Sequence, residues 1–307
     1  MRSNNKFIAI LFFGNYFYAF CAIALSIEAA LQQHFPLNHL LYYILLFTGS
    51  VYYYTKAYVT EITDDVNNKR SVWYVTHFRL TKVTQTIFLL VTLICCLFVI
   101  IQNWRYLLSA QLSTWLLLLL FPIVAILYYG INSTTIGNYN LRNTGWLKPF
   151  VIGFVWAGFV TIYPMIYYSI IHQIVYEINV FNCLLFLKNF MFITVLCIMF
   201  DIKDYATDYN QQLKTFVVSF GLRKTIFYIL IPLCMLGLGS FLLYGFNHHF
   251  HVMRIILNTA PFVLLLTVAY SMHKRQSILY YLAIIDGLML VKAICGITAI
   301  LFFNEQN

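Results

Sequence analysis

The sequence predicts an all-α integral membrane protein with nine transmembrane helices in a single domain covering residues 1–307. Three observations carry that expectation. Of the 307 residues, 62% are hydrophobic and only 9% charged, against about 25% charged in an ordinary soluble domain. The chain therefore lacks the polar surface to stay in water. Nine mostly apolar stretches are each long enough to cross a bilayer core, which takes about 20 residues. The basic residues between those stretches collect on one side. Together these features exclude a soluble globular enzyme, a disordered regulator and a nucleic-acid binder.

The stretches run, in order, near 7–26, 38–60, 83–101, 112–131, 147–170, 179–200, 224–245, 252–272 and 278–303. Arg2 and Lys6 precede the first, and Lys69, Arg70, Arg79 and Lys82 separate the second from the third. Arg142 and Lys148 precede the fifth, and Lys203, Lys214, Arg223 and Lys224 lie between the sixth and seventh. Lys274 and Arg275 precede the ninth. With a cytoplasmic N-terminus all fourteen of these fall on the cytoplasmic side, whereas the other side receives two, Arg105 and Arg254. That is a positive-inside distribution. It accounts for the net charge of +9 by topology, without nucleic acid. Ala22-Ile23-Ala24 faintly resembles a signal-peptide cleavage site, but the apolar run is long for a signal peptide, so the first stretch is expected to be a retained helix. Period-2 alternation is absent, which excludes a membrane β-barrel. No linker or clean internal repeat divides the chain. All seven cysteines sit in apolar stretches without metal-ligand spacing and are expected to pack as small hydrophobes.

Ionisable groups in or beside membrane helices are costly, so each acid needs a reason. There are ten, and six fall in two cytoplasmic segments: Glu61, Asp64 and Asp65, then Asp201, Asp204 and Asp208. The second set is spaced three and then four residues apart, which puts all three within about 60° on one helical face. Three such carboxylates repel one another unless cations lie between them. They suit Mg²⁺, a hard cation that takes one or two carboxylates plus phosphate oxygens. On spacing alone, a solvated acidic loop balanced by Lys203 and Lys214 is equally open.

Asp201-x-x-Asp204-x-x-x-Asp208, followed by Lys214-Thr215 and Gly221, resembles the second aspartate-rich motif of the UbiA superfamily of intramembrane prenyltransferases. Leu147-Lys148-Pro149-Phe150-Val151-Ile152-Gly153-Phe154-Val155-Trp156-Ala157 resembles the fifth helix of a divergent bacterial branch, which also carries a string like Phe200-Asp201-Ile202-Lys203-Asp204. The family has nine transmembrane helices around a central cavity, with aspartate motifs in its cytoplasmic 2–3 and 6–7 segments. Both acidic clusters here fall in those segments. The first motif departs from the family pattern N-D-x-x-D-x-x-x-D. With Gly49 as the preceding small residue, Tyr53 and Tyr54 stand at the Asn-Asp pair, Ala57 at the next acid and Glu61 at the last. Three readings stay open. Glu61, Asp64 and Asp65 form a shifted metal-binding face at i, i+3 and i+4; or Glu61 suffices beside the second motif; or the first metal site is lost.

The resemblance implies Mg²⁺-dependent transfer of an isoprenyl chain from a polyprenyl diphosphate to an aromatic or quinone-precursor acceptor, in a bacterial inner membrane. Asp201, Asp204 and Asp208 would bind Mg²⁺ together with Glu61, Asp64 and Asp65. Arg142, Lys148, Lys203 and Lys214 would contact the diphosphate. A catalytically silent homologue that binds a polyprenyl lipid or membrane partner is the main alternative. A small-solute transporter is a further one, against which stands the absence of paired, Gly/Pro-broken halves. Lesser signals are a histidine tract (His248, His249, His251) beyond the seventh stretch, expected not to hold a metal, and Lys56, expected to snorkel towards the cytoplasm. Lys188, Lys292 and Asp286 fall inside predicted spans, marking either cavity-lining positions or misplaced boundaries.

Overall fold

In the computed structural model, which describes residues 3–60, 69–129, 131–133, 137–139, 144–210, 212–272 and 277–303, every apolar stretch is helical. The first is two helices, α1 (Ser3–Phe13) and α2 (Tyr16–Gln32), bent by 58°. The break falls at Gly14-Asn15, where Asn15 takes a left-handed φ of 64°, a conformation asparagine tolerates better than most side chains. Helix α3 (Leu40–Thr60) follows, then the short α4 (Lys69–Thr76), α5 (Phe78–Gln102), α6 (Trp104–Ser109) and α7 (Leu112–Tyr129). A small antiparallel hairpin, β1 (Ile131–Ser133) with β2 (Gly137–Tyr139), is a departure from the all-helical expectation, confined to a loop. Next come α8 (Lys148–Ala157), α9 (Tyr163–His172), α10 (Val180–Lys203), α11 (Tyr205–Asn210), α12 (Phe216–Phe220) and α13 (Leu222–Thr225). The chain closes with α14 (Ile231–Asn247), α15 (Val252–Ser271), α16 (Ile278–Tyr280) and α17 (Asp286–Phe303).

Nine crossings are more than the helices themselves establish. Among the described residues six helical runs are long and apolar enough to span a bilayer, or seven if the bent α1–α2 pair is one span. Helix α7 is shorter than the rest, and the second half of α3 is rich in tyrosine and threonine. Three of the spans contain a π turn: Gly158–Ile162 between α8 and α9, Ile226–Leu230 before α14, and Tyr281–Ile285 before α17. Proline clashes with the carbonyl four residues earlier. The first two π turns hold that carbonyl, at Val160 for Pro164 and at Tyr228 for Pro232, so the widened turn absorbs the clash. The third has no proline after it.

The helices pack in the sequence α5–α3–α2–α17–α15–α14–α10–α8–α7, with the α8–α9 run also lying against α2. That run is the most enclosed, 72% buried, while α5 at 11% faces outward along its whole length, as suits a helix in lipid. Close approach of α8 to α10 depends on Gly153: a Cβ there would sit 2.2 Å from Thr194 Oγ1 and 3.1 Å from the Phe190 carbonyl oxygen. Overpacking of this kind costs about 1–3 kcal/mol. Gly153→Val is therefore expected to lower the thermal unfolding midpoint measured in detergent, with Gly287→Ala, whose Cβ meets nothing, as the tolerated control.

Deep in the bundle, Lys188 and Lys292 prove to be interior residues rather than boundary errors. Glu28 on α2, fully buried, accepts from Lys292 Nζ at 2.7 Å and lies 3.7 Å from Lys188 Nζ. Gln32 Nε2 also donates to it. Lys188 donates to Asn258 Oδ1 at 2.7 Å and lies 3.9 Å from the centre of the Phe241 ring. Arg254, counted on the non-cytoplasmic side, is buried in the first turn of α15 and stacks 3.7 Å over Phe250. These groups join α2, α10, α15 and α17 through polar contacts that lipid cannot supply.

Candidate active site

The C-terminal end of α10 and the start of α11 carry the second acidic cluster. A turn at Asp204 separates α10 from α11, although the Asp204 and Asp208 amides still donate to the carbonyls four residues back and Asp208 stays within electrostatic reach of both other acids. Asp201 and Asp208 are buried, whereas the Asp204 side chain is 44% exposed and pairs with Lys203 at 3.0 Å. Lys148, the first residue of α8, donates to Asp201 Oδ1 at 2.9 Å; Asp208 is also within its electrostatic reach. The turn leading into α8 is held close to the segment after α11, since a Cβ on Gly145 would lie 2.6 Å from the Lys214 carbonyl carbon. Thr215 in that segment caps α12 by accepting from the Val218 amide.

Asp201 Oδ2 and Asp208 Oδ2 are buried and without a hydrogen-bond partner. An unmet acceptor in such surroundings costs about 1–3 kcal/mol, more for a charged group, so two together call for a ligand. The donor set fits a hard cation that completes its shell with phosphate oxygens. It is not a finished cage: among the described residues no three His, Cys, Asp or Glu side chains converge to hold a metal alone. Burial pushes the Asp208 carboxyl up to about 6, with Asp201 and Asp204 adding to the rise against the pull of Lys148 and Lys203.

A second group of residues lies on the inner side of this cluster. Tyr18 stacks on Tyr54 at 4.9 Å, both lie about 6 Å from Trp156 (6.1 and 6.0 Å), and Trp156 Nε1 donates to the Tyr54 hydroxyl. Tyr54, at an acid position of the family's first motif, thus supplies an aromatic face instead. Its neighbour Tyr53 turns away and donates to the Ala125 carbonyl at 3.0 Å. Asp286, at the start of α17, is buried and within electrostatic range of Tyr18, Arg70 and Lys203. Arg70 is not a solvated loop cation. It is buried, donates to Asn15 Oδ1 and to the Phe13 carbonyl, and lies 4.4 Å over the Tyr58 ring. With Tyr74, whose hydroxyl donates to the same carbonyl at 2.8 Å, it pins the α1–α2 bend.

Of the other expected site residues, Glu61, Asp64, Asp65 and Arg142 lie outside the described residues. Lys203 is committed to Asp204, and Lys214 is exposed. Lys56 is exposed at the end of α3. The histidine tract serves the backbone: His248 stacks on Tyr244 at 3.8 Å, and His251 accepts from the Met253 amide to cap α15. Arg70 was counted only among the loop cations, and Asp286 was marked as either a cavity-lining position or a misplaced boundary. The only signal for Asp286 was an acid inside an apolar span.

No protein-family model and no curated protein sequence matches the chain. Among solved structures it is similar to a digeranylgeranylglyceryl phosphate synthase, an intramembrane prenyltransferase of the UbiA superfamily. The two superpose with a TM-score of 0.56 over 97% of this chain and 99% of that one, at 14% sequence identity. The likeness is one of fold.

Proposed function

We propose that this protein is a multi-pass intramembrane prenyltransferase, moving an isoprenyl chain from a polyprenyl diphosphate to an acceptor. The observation that carries the reading is the pair of buried, unpartnered carboxylate oxygens on Asp201 and Asp208 beside Lys148, in a fold shared with a prenyltransferase. Asp201 and Asp208 would hold Mg²⁺, with Asp204 and the acids at 61, 64 and 65 completing the set. Bound there, the ion would neutralise charge building on the departing diphosphate. Lys148 adds a fixed positive charge at the N-terminus of α8, where the helix dipole also favours an anion. Arg142, Lys203 and Lys214 are further diphosphate contacts in this reading. The bond from prenyl carbon to diphosphate oxygen breaks with its electron pair staying on the diphosphate. The Tyr18, Tyr54 and Trp156 faces then stabilise the allylic cation and exclude water. The positive-inside pattern supports a cytoplasmic N-terminus and diphosphate entry from that side; the membrane we assign is a bacterial inner membrane.

The test is Mg²⁺-dependent diphosphate release by the purified protein with a panel of polyprenyl diphosphates, with and without pooled acceptors. Release that requires Mg²⁺ supports the reading. Binding of the prenyl diphosphate without release supports a second reading, a silent polyprenyl-binding homologue, which Tyr54 and Ala57 in place of two motif acids favour. Neither binding nor release removes both.

The Asp208 carboxyl sets a pH dependence. A proton and a cation compete for it, so Mg²⁺ affinity is expected to fall as pH drops through about 6, read by titration calorimetry between pH 5 and 8. The metal-free protein responds in the opposite sense. Its folded-state value exceeds the ordinary value of about 3.9, so protonation between about 6 and 4 stabilises the fold.

A further inference from the structure

Asp286 is the most conspicuous buried acid that the diphosphate site leaves unused. It is 1% exposed, and its carboxylate meets no partner at full hydrogen-bond geometry, the Tyr18 hydroxyl being the donor beside it. A carboxylate so placed in a membrane bundle is expensive and marks function by default. The backbone singles it out as well. The π turn Tyr281–Ile285 ends immediately before it, and here no proline explains the widened turn as it does in the other two spans. Such turns re-aim a side chain at functional sites. The groups facing Asp286 come from three helices among the described residues. Helix α2 presents Tyr18 and Cys21, whose thiol donates to the Asp286 carbonyl at 3.6 Å. Arg70 faces it from α4, and Cys197 and Lys203 from α10. Cys197 lies one helical turn before Asp201 and feels both acids, which places Asp286 beside the diphosphate end of α10. The neighbouring surface is the Tyr18–Tyr54–Trp156 group.

From this placement, and resting on the prenyl-transfer reading, we infer that Asp286 is the base that takes the proton from the acceptor, with Tyr18 orienting it. The acceptor class follows: a molecule whose attacking atom, a hydroxyl oxygen or an aromatic ring carbon, carries a proton that must leave. The step balances within the site. The electron pair of the breaking carbon–oxygen bond leaves with diphosphate, the acceptor's attacking atom bonds to the prenyl carbon, and its proton passes to the Asp286 carboxylate. Arg70 and Lys203 are the cations within electrostatic range of that carboxylate. An acid here leaves the eroded first motif free to serve the diphosphate alone.

The experiment compares wild type, Asp286→Asn and Asp286→Glu as full-length protein in lipid nanodiscs, with a polyprenyl diphosphate and either a hydroxybenzoate or a glycerol-phosphate ether as acceptor. Three readings are taken: prenyl diphosphate affinity, diphosphate release, and prenyl transfer. A positioned general base contributes about 10²–10⁴-fold. Asp286→Asn should therefore lower transfer at least a hundredfold more than it lowers release, with affinity held, and Asp286→Glu should recover part of the loss. In wild type the transfer-to-release ratio should fall towards acid pH, and in Asp286→Asn that ratio should be flat. Using the ratio separates Asp286 from Asp208, whose protonation affects both terms alike. The position of the new bond in the product, read by NMR, distinguishes oxygen from ring carbon. Transfer within threefold of wild type in Asp286→Asn, or equal loss of transfer and release, overturns the assignment while leaving prenyl transfer intact. A wild-type protein that neither binds nor releases the diphosphate overturns both together. The unfolding midpoint of each variant, measured alongside, assigns a loss of all three readings to misfolding, in which case Asp286→Glu decides by the same ratio.

Discussion

Glu28→Ala is expected to destabilise the folded protein by about 3–5 kcal/mol, the range for removing one partner of a buried ion pair. Glu28 is the acid to which Lys292 and Lys188 both turn, at 2.7 and 3.7 Å, and all three are essentially unexposed. Without it two ammonium groups remain in the interior beside Arg254, itself buried. Desolvation and mutual repulsion then act together on them. Glu28→Gln keeps the shape and a hydrogen-bond acceptor but not the charge, so it should fall between wild type and alanine. The double change Glu28→Met with Lys292→Met should cost clearly less than the sum of the two single changes, because Glu28→Met strands both lysines and the second change removes one of them. Unfolding midpoints in one detergent, over the complete cycle, measure the coupling. Additive costs would mean that the network contributes only packing.

The largest effect on function is expected at Asp201. Asp201→Asn removes the charge that both Lys148 and the proposed cation require, and we expect Mg²⁺-dependent diphosphate release to fall by at least 10²–10³-fold, the scale for removing a preorganised electrostatic contact. The geometry makes a further demand. Asp208→Asn should be nearly as damaging, because its free oxygen is buried as that of Asp201 is. Asp204→Asn should cost the least of the three, since that side chain is half exposed and already paired with Lys203. Initial rates across a Mg²⁺ titration separate weakened metal affinity, which excess metal rescues, from a lost catalytic contact, which it does not. Equal losses at all three positions would mean that the acids act as the single face that the 3-and-4 spacing suggests.

The helices were legible because a bilayer demands long apolar runs, and nine such runs stand clear of their charged flanks. Their breaks were less so. Gly14-Asn15 carried a usable turn signal, and prolines marked two of the π turns. The turn at Asp204, by contrast, has neither glycine nor proline to announce it. The same limit governed the site. Asp201 and Asp208 could be found from spacing because they lie close in sequence. Arg70 was counted among cytoplasmic loop cations, since composition gives no sign that Asn15 and Tyr58 would enclose it. Asp286 and Glu28 depend on partners from distant helices, and a lone acid in an apolar run reads the same whether it is functional, structural or a misjudged boundary.

The Glu28–Lys292 pair also constrains how the protein is made. The two residues are 264 positions apart, one on an early helix of the chain and the other on the last one described. A charged side chain within a membrane helix opposes insertion, most strongly near the helix centre. Helix α2 therefore meets lipid long before its counter-charge has been synthesised, and Lys188 on α10 offers a provisional partner along the way. Final docking waits on α17, so a nascent chain lacking its C-terminal helix carries an unsettled N-terminal one, a substrate for membrane quality control.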